Sequence, residues 1–322
     1  VSLVASVSWP EDKAFLSGEA QRGRRVIVLG DLLHECSVER LREEPWIEAV
    51  LHVFSNRDVC VYLSGERAAI EDMTVRDASG APQRLLRLPP HLRKKSYRVP
   101  RPRHELFPAR GYRFSFARQR RFATLLTDYG CPWPCTFCVM STLGFQVRPL
   151  EDVLEEIDDL RARGIRELFF LDQTFGARRP RALELCRALE ARGDLSWTAF
   201  TRPDVATEEL LGAMRRGGCH TLILGVETAD DALLAAYEKG YDTQTVRRAC
   251  ALAHAHGLRT VGTVLLGLPE QDEQSLERTL ELALELRLDF LSLNVAVPRF
   301  GTPFRQRILA AGLANERELV MD

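Results

Sequence analysis

No apolar run in this 322-residue chain approaches the ~18 residues of a membrane-spanning helix, so the sequence offers no such span. Net charge is nearly absent as well: 44 Lys and Arg against 45 Asp and Glu leave −1. Bulk electrostatics therefore give no argument for nucleic acid or an anionic membrane as partner. The opening stretch, residues 1–7, lacks the charged region of a signal peptide and reads as a buried strand. Cysteine is thinly spread except in one place. Cys36, Cys60, Cys186, Cys219 and Cys250 stand singly in mostly apolar contexts, as reduced core thiols of a cytoplasmic protein do.

The exception is Gly130-Cys131-Pro132-Trp133-Pro134-Cys135-Thr136-Phe137-Cys138, a CxxxCxxC spacing. Three closely set thiolates cannot fill the four corners of a cubane iron–sulfur cluster, which normally takes four cysteines. One iron is left open, and an open position separates a catalytic metal site from a structural one. Zinc is the competing reading. It would need a distant fourth ligand, yet the next cysteine is Cys186, inside a helical pattern, and no histidine lies near the loop.

From about residue 115 onward, strand-like and helix-like runs alternate, which predicts βα units around a parallel sheet. Strands are expected at 123–127, 167–171, 196–201, 221–225, 260–266 and 290–295. Helices are expected at 150–163, 181–192, 208–216, 231–237, 243–256 and 273–286, the first with Val153, Ile157 and Leu160 on its core face. Six such repeats fit an open, partial TIM-like barrel, an α/β fold that keeps its chemistry at the C-terminal ends of the strands. Those ends are polar here: Asp172-Gln173, Arg202-Pro203-Asp204, Glu227-Thr228 and Gly267-Leu268-Pro269-Glu270.

The cysteine loop resembles that of radical S-adenosylmethionine (radical SAM) enzymes. The resemblance implies a 4Fe-4S cluster on Cys131, Cys135 and Cys138, with S-adenosylmethionine chelating the fourth iron and Phe137 near its adenine. It implies one-electron cleavage of the sulfonium to a 5′-deoxyadenosyl radical, an external flavodoxin- or ferredoxin-like reductant, and a small-molecule substrate. Where the family often has Gly-Gly-Glu after the second strand, binding the methionine amino group, this chain has Leu171-Asp172-Gln173, similar to a variant of the cobalamin-associated branch, and Asp172 is the residue carried over. Glu227 and Thr228 match a position that bonds the ribose or the methionyl end. Arg202 offers a two-pronged fit to the methionine carboxylate. Gly267 and Glu270 partly match the segment along which adenine lies. Each has a plainer reading: Arg202 in a salt bridge with Asp204, Glu227 as a helix N-terminal charge, Asp172 as a cap, and Gly225 and Gly267 as turn residues.

Residues 1–85 alternate differently, with strands at 1–7, 25–29 and 47–54, helices at 10–21 and 37–42, and a short strand and turn at 72–79. This resembles the second half of the Rossmann-like cobalamin-binding domain found upstream of many radical SAM domains. The Asp-x-His-x-x-Gly loop that places histidine on cobalt is absent, and His34 reads more simply as a surface or cap histidine. Residues 86–115, with several prolines and basic residues, read as an extended linker draped over the barrel, and 116–322 as the barrel domain. The start at Val1 within a strand and the end at Met321-Asp322 lead us to expect a partial gene product. The expected activity is that of a cobalamin-associated radical SAM methyltransferase or cyclase. The alternatives are a cobalamin-independent, methylthiotransferase-like enzyme and a non-catalytic iron–sulfur or zinc module.

Overall fold

The computed structural model describes residues 1–5, 8–33, 35–89, 95–107 and 111–315. By contact these form two compact units. The first comprises Val1–Val99, Thr136–Leu143 and the described residues from Val297 on; the second comprises Pro100–Cys135 and Gly144–Ala296. Among the described residues no helix is long and apolar enough to cross a membrane.

The first unit opens with β1 (Ser2–Leu3), α1 (Trp9–Gln21), β2 (Ile27–Leu29), α2 (Ser37–Glu43), β3 (Ala49–Leu51), α3 (Asp58–Ser64), β4 (Asp72–Arg76) and β5 (Pro82–Leu86). The sheet order is β1-β2-β3-β4-β5. The first three strands run parallel and the last two antiparallel. Short strands survive here because both faces are covered. Val28 and Val50 pack with Trp9 and Leu16 of α1, and Ile27 and Ala49 pack with Tyr62 of α3. Helix α3 is absent from the sequence expectation. It is held by Asp58, which is 2% exposed and accepts hydrogen bonds from the backbone N–H groups of Glu71 and Asp72 at 2.8 and 2.9 Å. His34 lies outside the described residues.

The second unit carries β6 (Phe122–Leu125), β7 (Asp128–Gly130), β8 (Phe145–Val147), α4 (Leu150–Ala162), β9 (Glu167–Phe170), α5 (Arg179–Glu190), β10 (Ser196–Thr201), α6 (Glu208–Arg216) and β11 (Cys219–Glu227). After these come α7 (Asp231–Ala236), α8 (Thr243–Ala255), β12 (Arg259–Leu266), α9 (Glu273–Glu285) and β13 (Phe290–Val295). Strands β6 and β9–β13 form one parallel sheet in that order, with β6 and β13 at its edges, the open partial barrel expected from the alternation. Residues alternate between the two faces of each strand. Leu168, Phe170, Trp197, Ala199, Leu222 and Leu224 pack with Val153, Ile157 and Leu160 of α4 and their neighbours in the main core. Phe169, Phe200, Ile223, Val261 and Phe290 line the other face. Phe114 and Phe116 fill that face, Phe114 stacking on Phe169 at 4.3 Å and Phe116 meeting Phe290 at 5.1 Å. The C-terminal end of the expected linker is thus core, not drape.

Helices begin promptly after the strand loops because carboxylates and hydroxyls cap them. Thr207, Asp230 and Asp242 accept from backbone N–H groups at the starts of α6, α7 and α8, and Asp272 with Ser275 forms a capping box on α9.

Candidate metal and cofactor site

The cysteine loop does not leave β6 directly. It is the head of a hairpin whose antiparallel stem pairs Asp128 with Val147, Tyr129 with Gln146 and Gly130 with Phe145. Gly130, immediately before Cys131, has φ +78, and a Cβ there would stand 1.6 Å from the Gly144 carbonyl oxygen. Only glycine lets the stem close at that point. Cys135 is buried, while Cys131 and Cys138 are half-buried. Among the described residues no three His, Cys, Asp or Glu side chains converge on a single ion.

Arg202, at the end of β10, is 6% exposed and reaches Cys135: its Nη1 donates to Sγ at 3.5 Å. Nε and Nη2 form a fork onto the Asp204 carboxylate at 2.9 and 3.0 Å, and Nη2 also donates to the Lys239 carbonyl. The guanidinium lies close to two rings, 4.5 Å from the centroid of Trp133 and 5.0 Å from that of Tyr241. Burial works against its charge, but Asp204 outweighs burial and the guanidinium is held more firmly protonated than usual. The two-pronged face expected to meet a methionine carboxylate is therefore filled by the chain's own Asp204.

Next to it, β11 ends irregularly. Gly225 pairs with Thr263 and Glu227 with Val264, so Val226 is an extra residue, a β-bulge. Glu227 sits at φ +62, a left-handed conformation that non-glycine residues adopt at a cost. The bulge turns its carboxylate onto Lys239, whose Nζ donates to Oε1 at 2.8 Å. Lys239 is 7% exposed, yet Glu227 overcomes the burial penalty and raises its pKa. Tyr241 donates its hydroxyl to the Gly225 carbonyl at 2.7 Å, and burial raises its pKa. A Cβ on Gly225 would stand 2.6 Å from Glu227 Oε1 and 2.9 Å from Tyr241 Oη. The glycine at this point is thus explained by close approach of two side chains, not by a turn.

Two other candidates are placed elsewhere. Asp172 is 1% exposed and accepts from the Thr127 N–H at 2.6 Å, the Thr127 hydroxyl at 2.5 Å and the Asp128 N–H at 3.2 Å. It ties β9 to the hairpin stem, a capping duty. Asp128 beside it is 5% exposed, and among the described residues its Oδ1 has no hydrogen-bond partner. Burial first, then the Asp172 charge, pushes the Asp128 pKa up to about 9. Burial raises Asp172 too, but its three donors favour the anion, so the pair's proton belongs on Asp128. Thr228 is 1% exposed, 3.3 Å from the Thr279 hydroxyl, and accepts from the Asp230 N–H at 3.2 Å; it fastens α9 and the start of α7.

Glu270 is exposed and accepts the Tyr237 hydroxyl at 2.6 Å; Gly267, with φ +78, is exposed at the end of β12. Phe137 is half-buried within the segment grouped with the first unit. Trp133, Lys239, Tyr241 and Asp128 are absent from the sequence-derived candidates. A signal existed for two of them: Lys239 and Tyr241 flank Gly240 in the short link between α7 and α8, past the end of a strand.

Residues 126–283 match the sequence model of the family described as Radical SAM superfamily. The chain carries a radical SAM domain. It is 33% identical over 230 residues to an uncharacterized methyltransferase, PH0819, of Pyrococcus horikoshii, covering 70% of this chain and 48% of that protein. It is 30% identical over 190 residues to the ribosomal protein uS12 methylthiotransferase RimO of Syntrophus aciditrophicus, covering 54% of this chain and 42% of the relative. The chain thus spans about half the length of the curated relatives it matches. The radical SAM methyltransferase TsrM of Kitasatospora setae, solved with cobalamin and a 4Fe-4S cluster bound, superposes with a TM-score of 0.79 at 20% identity. That match covers 96% of this chain and 64% of TsrM, and it shows a shared fold.

Proposed function

We propose that this chain is the catalytic part of a radical SAM methyltransferase of the cobalamin-associated branch. In this reading Cys131, Cys135 and Cys138 hold a 4Fe-4S cluster whose fourth iron takes S-adenosylmethionine. The observation that carries it is the donor set at the strand ends. A three-thiolate loop on a glycine-closed hairpin stem stands with Cys135 against two buried cations, Arg202 and Lys239, each paired with a less buried carboxylate, Asp204 and Glu227. Three soft thiolates suit iron, and the missing fourth leaves room for a hard amino-carboxylate chelate. When bound, the cluster supplies one electron to the sulfonium of S-adenosylmethionine.

The chain's own residues bind, orient and exclude water. Glu227, strained into place by the bulge, and Lys239 offer an acceptor and a cation for the ribose hydroxyls and the methionyl end. Trp133 and Tyr241 shield the Arg202 guanidinium, which directs Nη1 at Cys135. Gly267 leaves the end of β12 open beside the adenine, and Glu270 stays anchored by Tyr237. Phe137 is assigned to the adenine by its place before Cys138. Asp172 and Thr228 act in this reading by holding the stem and α9, not by touching the cofactor. An external flavodoxin- or ferredoxin-like protein supplies the electron, and the methyl acceptor is a small molecule.

The relationship to RimO favours one second reading, a cobalamin-independent methylthiotransferase-like enzyme. One experiment tests both. Protein reconstituted anaerobically with iron and sulfide, then given dithionite and S-adenosylmethionine, produces 5′-deoxyadenosine under either reading, and Cys135→Ala abolishes it. Absence of that product from wild-type protein overturns both and leaves a non-catalytic iron–sulfur module. Cobalamin retained by the natural full-length protein, read from visible absorption, supports the first reading; its absence favours the second.

A further inference from the structure

The three cysteines of the loop are not equivalent. Cys135 is buried, and its sulfur receives an N–H from a guanidinium that has no freedom to turn away. Asp204 takes the Nε–Nη2 edge, the Lys239 carbonyl takes a further Nη2 hydrogen, and the guanidinium carbon stands 4.5 and 5.0 Å from the ring centroids of Trp133 and Tyr241. What remains is Nη1, aimed at Sγ. A planar five-donor fork that is pinned along one edge presents its remaining nitrogen, Nη1, in a fixed direction. Holding a buried guanidinium so firmly is costly in side-chain freedom and desolvation, and a mere rim salt bridge would need neither the two neighbouring rings nor the sulfur contact.

Resting on the cluster assignment above, we propose that Arg202 is a positioning residue for that cluster: it donates Nη1–H to the Cys135 thiolate and thereby raises the cluster's reduction potential. Hydrogen bonds to ligand sulfurs and local charge are among the levers that set such potentials. The sign follows from charge. The reduced cluster carries one more negative charge than the oxidised cluster, so a donor and cation at its sulfur favours the reduced state. Asp204 moderates the effect by neutralising the far edge of the same guanidinium.

The test is the midpoint potential of reconstituted protein, measured by reductive titration and followed by electron paramagnetic resonance. Arg202→Gln is expected to load iron as wild type does but to make reduction about tenfold less favourable, a fall of ~59 mV for one electron. Arg202→Lys, which keeps the charge, recovers part of that fall. Asp204→Asn is expected to move the potential the opposite way, because it leaves the guanidinium uncompensated. Its side chain is 27% exposed, so it remains informative even where Arg202→Gln does not fold. A purely structural role for Arg202 moves neither potential. Loaded variants titrating with wild type overturn this proposal alone, and with Asp204→Asn as the sole folded variant, an unmoved potential does the same. Wild-type protein that takes up no iron overturns the cluster assignment beneath it.

Discussion

The two ends of the same parallel strands both bury charge, and they use it differently. At the N-terminal ends, Glu167 opens β9, Ser196 opens β10, His220 lies at the start of β11 and Arg259 opens β12. His220 is 0% exposed, with Nε2 2.8 Å from Glu167 Oε1 and Nδ1 2.7 Å from the Thr221 hydroxyl, while Ser196 donates to Glu167. Burial alone would raise Glu167, but these partners hold its carboxyl below the usual range. The set contains a serine, a histidine and a carboxylate, yet it is sealed against substrate. At the C-terminal ends, Arg202, Asp204, Glu227 and Lys239 also pair off, but beside the cysteine loop, a backbone bulge and a residue in a strained conformation. Residue type does not distinguish the two ends. Position on the strand and stored strain do.

That contrast predicts which substitutions cost function and which cost stability. The largest effect is at the C-terminal ends. Cys135→Ala removes the bound iron and the 5′-deoxyadenosine product altogether while the urea midpoint stays near wild type; iron assay and product chromatography check this. A variant that kept both iron and product would break the functional half of the comparison.

Next in size, His220→Ala leaves Glu167 buried without its main partner. Chemical denaturation should show a loss of about 3–5 kcal/mol, with iron content per folded molecule unchanged. Iron loss without destabilisation would reverse the roles of the two ends.

The third prediction concerns Asp128. The native state keeps a proton on it up to about pH 9, whereas the unfolded chain releases that proton in the ordinary carboxylate range. The folded state therefore binds more protons between about pH 4 and 9, and stability falls as pH rises across that window, by up to about 1.4 kcal/mol per unit. Asp128→Asn should flatten this slope and leave the protein more stable at neutral pH. A steeper decline with Asn would contradict the buried-acid assignment.

The smallest effect belongs to neither end. Arg247 and Glu285 pair in solvent at 2.7 Å, and Arg247→Ala should change stability by no more than ~1 kcal/mol. Thermal denaturation alongside His220→Ala sharpens the scale.

Much of the barrel was legible in the sequence, because apolar alternation and caps mark parallel strands and amphipathic helices directly. Strands β10 and β13 and helix α6 begin and end where the pattern places them. The hairpin stem was not legible: its three-residue strands are too short to show a period, and what closes it is the approach of Gly130 to Gly144. Phe114 reads as linker because a plug that enters a barrel face has no periodicity of its own. The spacing of Cys131, Cys135 and Cys138 carried the site, and strand ends drew attention to Arg202 and Glu227. Asp172 and Thr228 were equally polar and equally near the strand ends. What sets Asp172 apart is its hydrogen bonding, since a carboxylate with three backbone and hydroxyl donors is already spent. Lys239 and Tyr241 reach the site through the link between two helices, a distance in space that spacing along the chain does not reveal.

Mössbauer spectroscopy of protein reconstituted with iron-57 tests the central claim most directly. The account predicts about four irons per chain, one of which changes its signal on addition of S-adenosylmethionine while the three thiolate-bound irons do not. Four irons that all remain unchanged, or a protein that holds no iron, would contradict it.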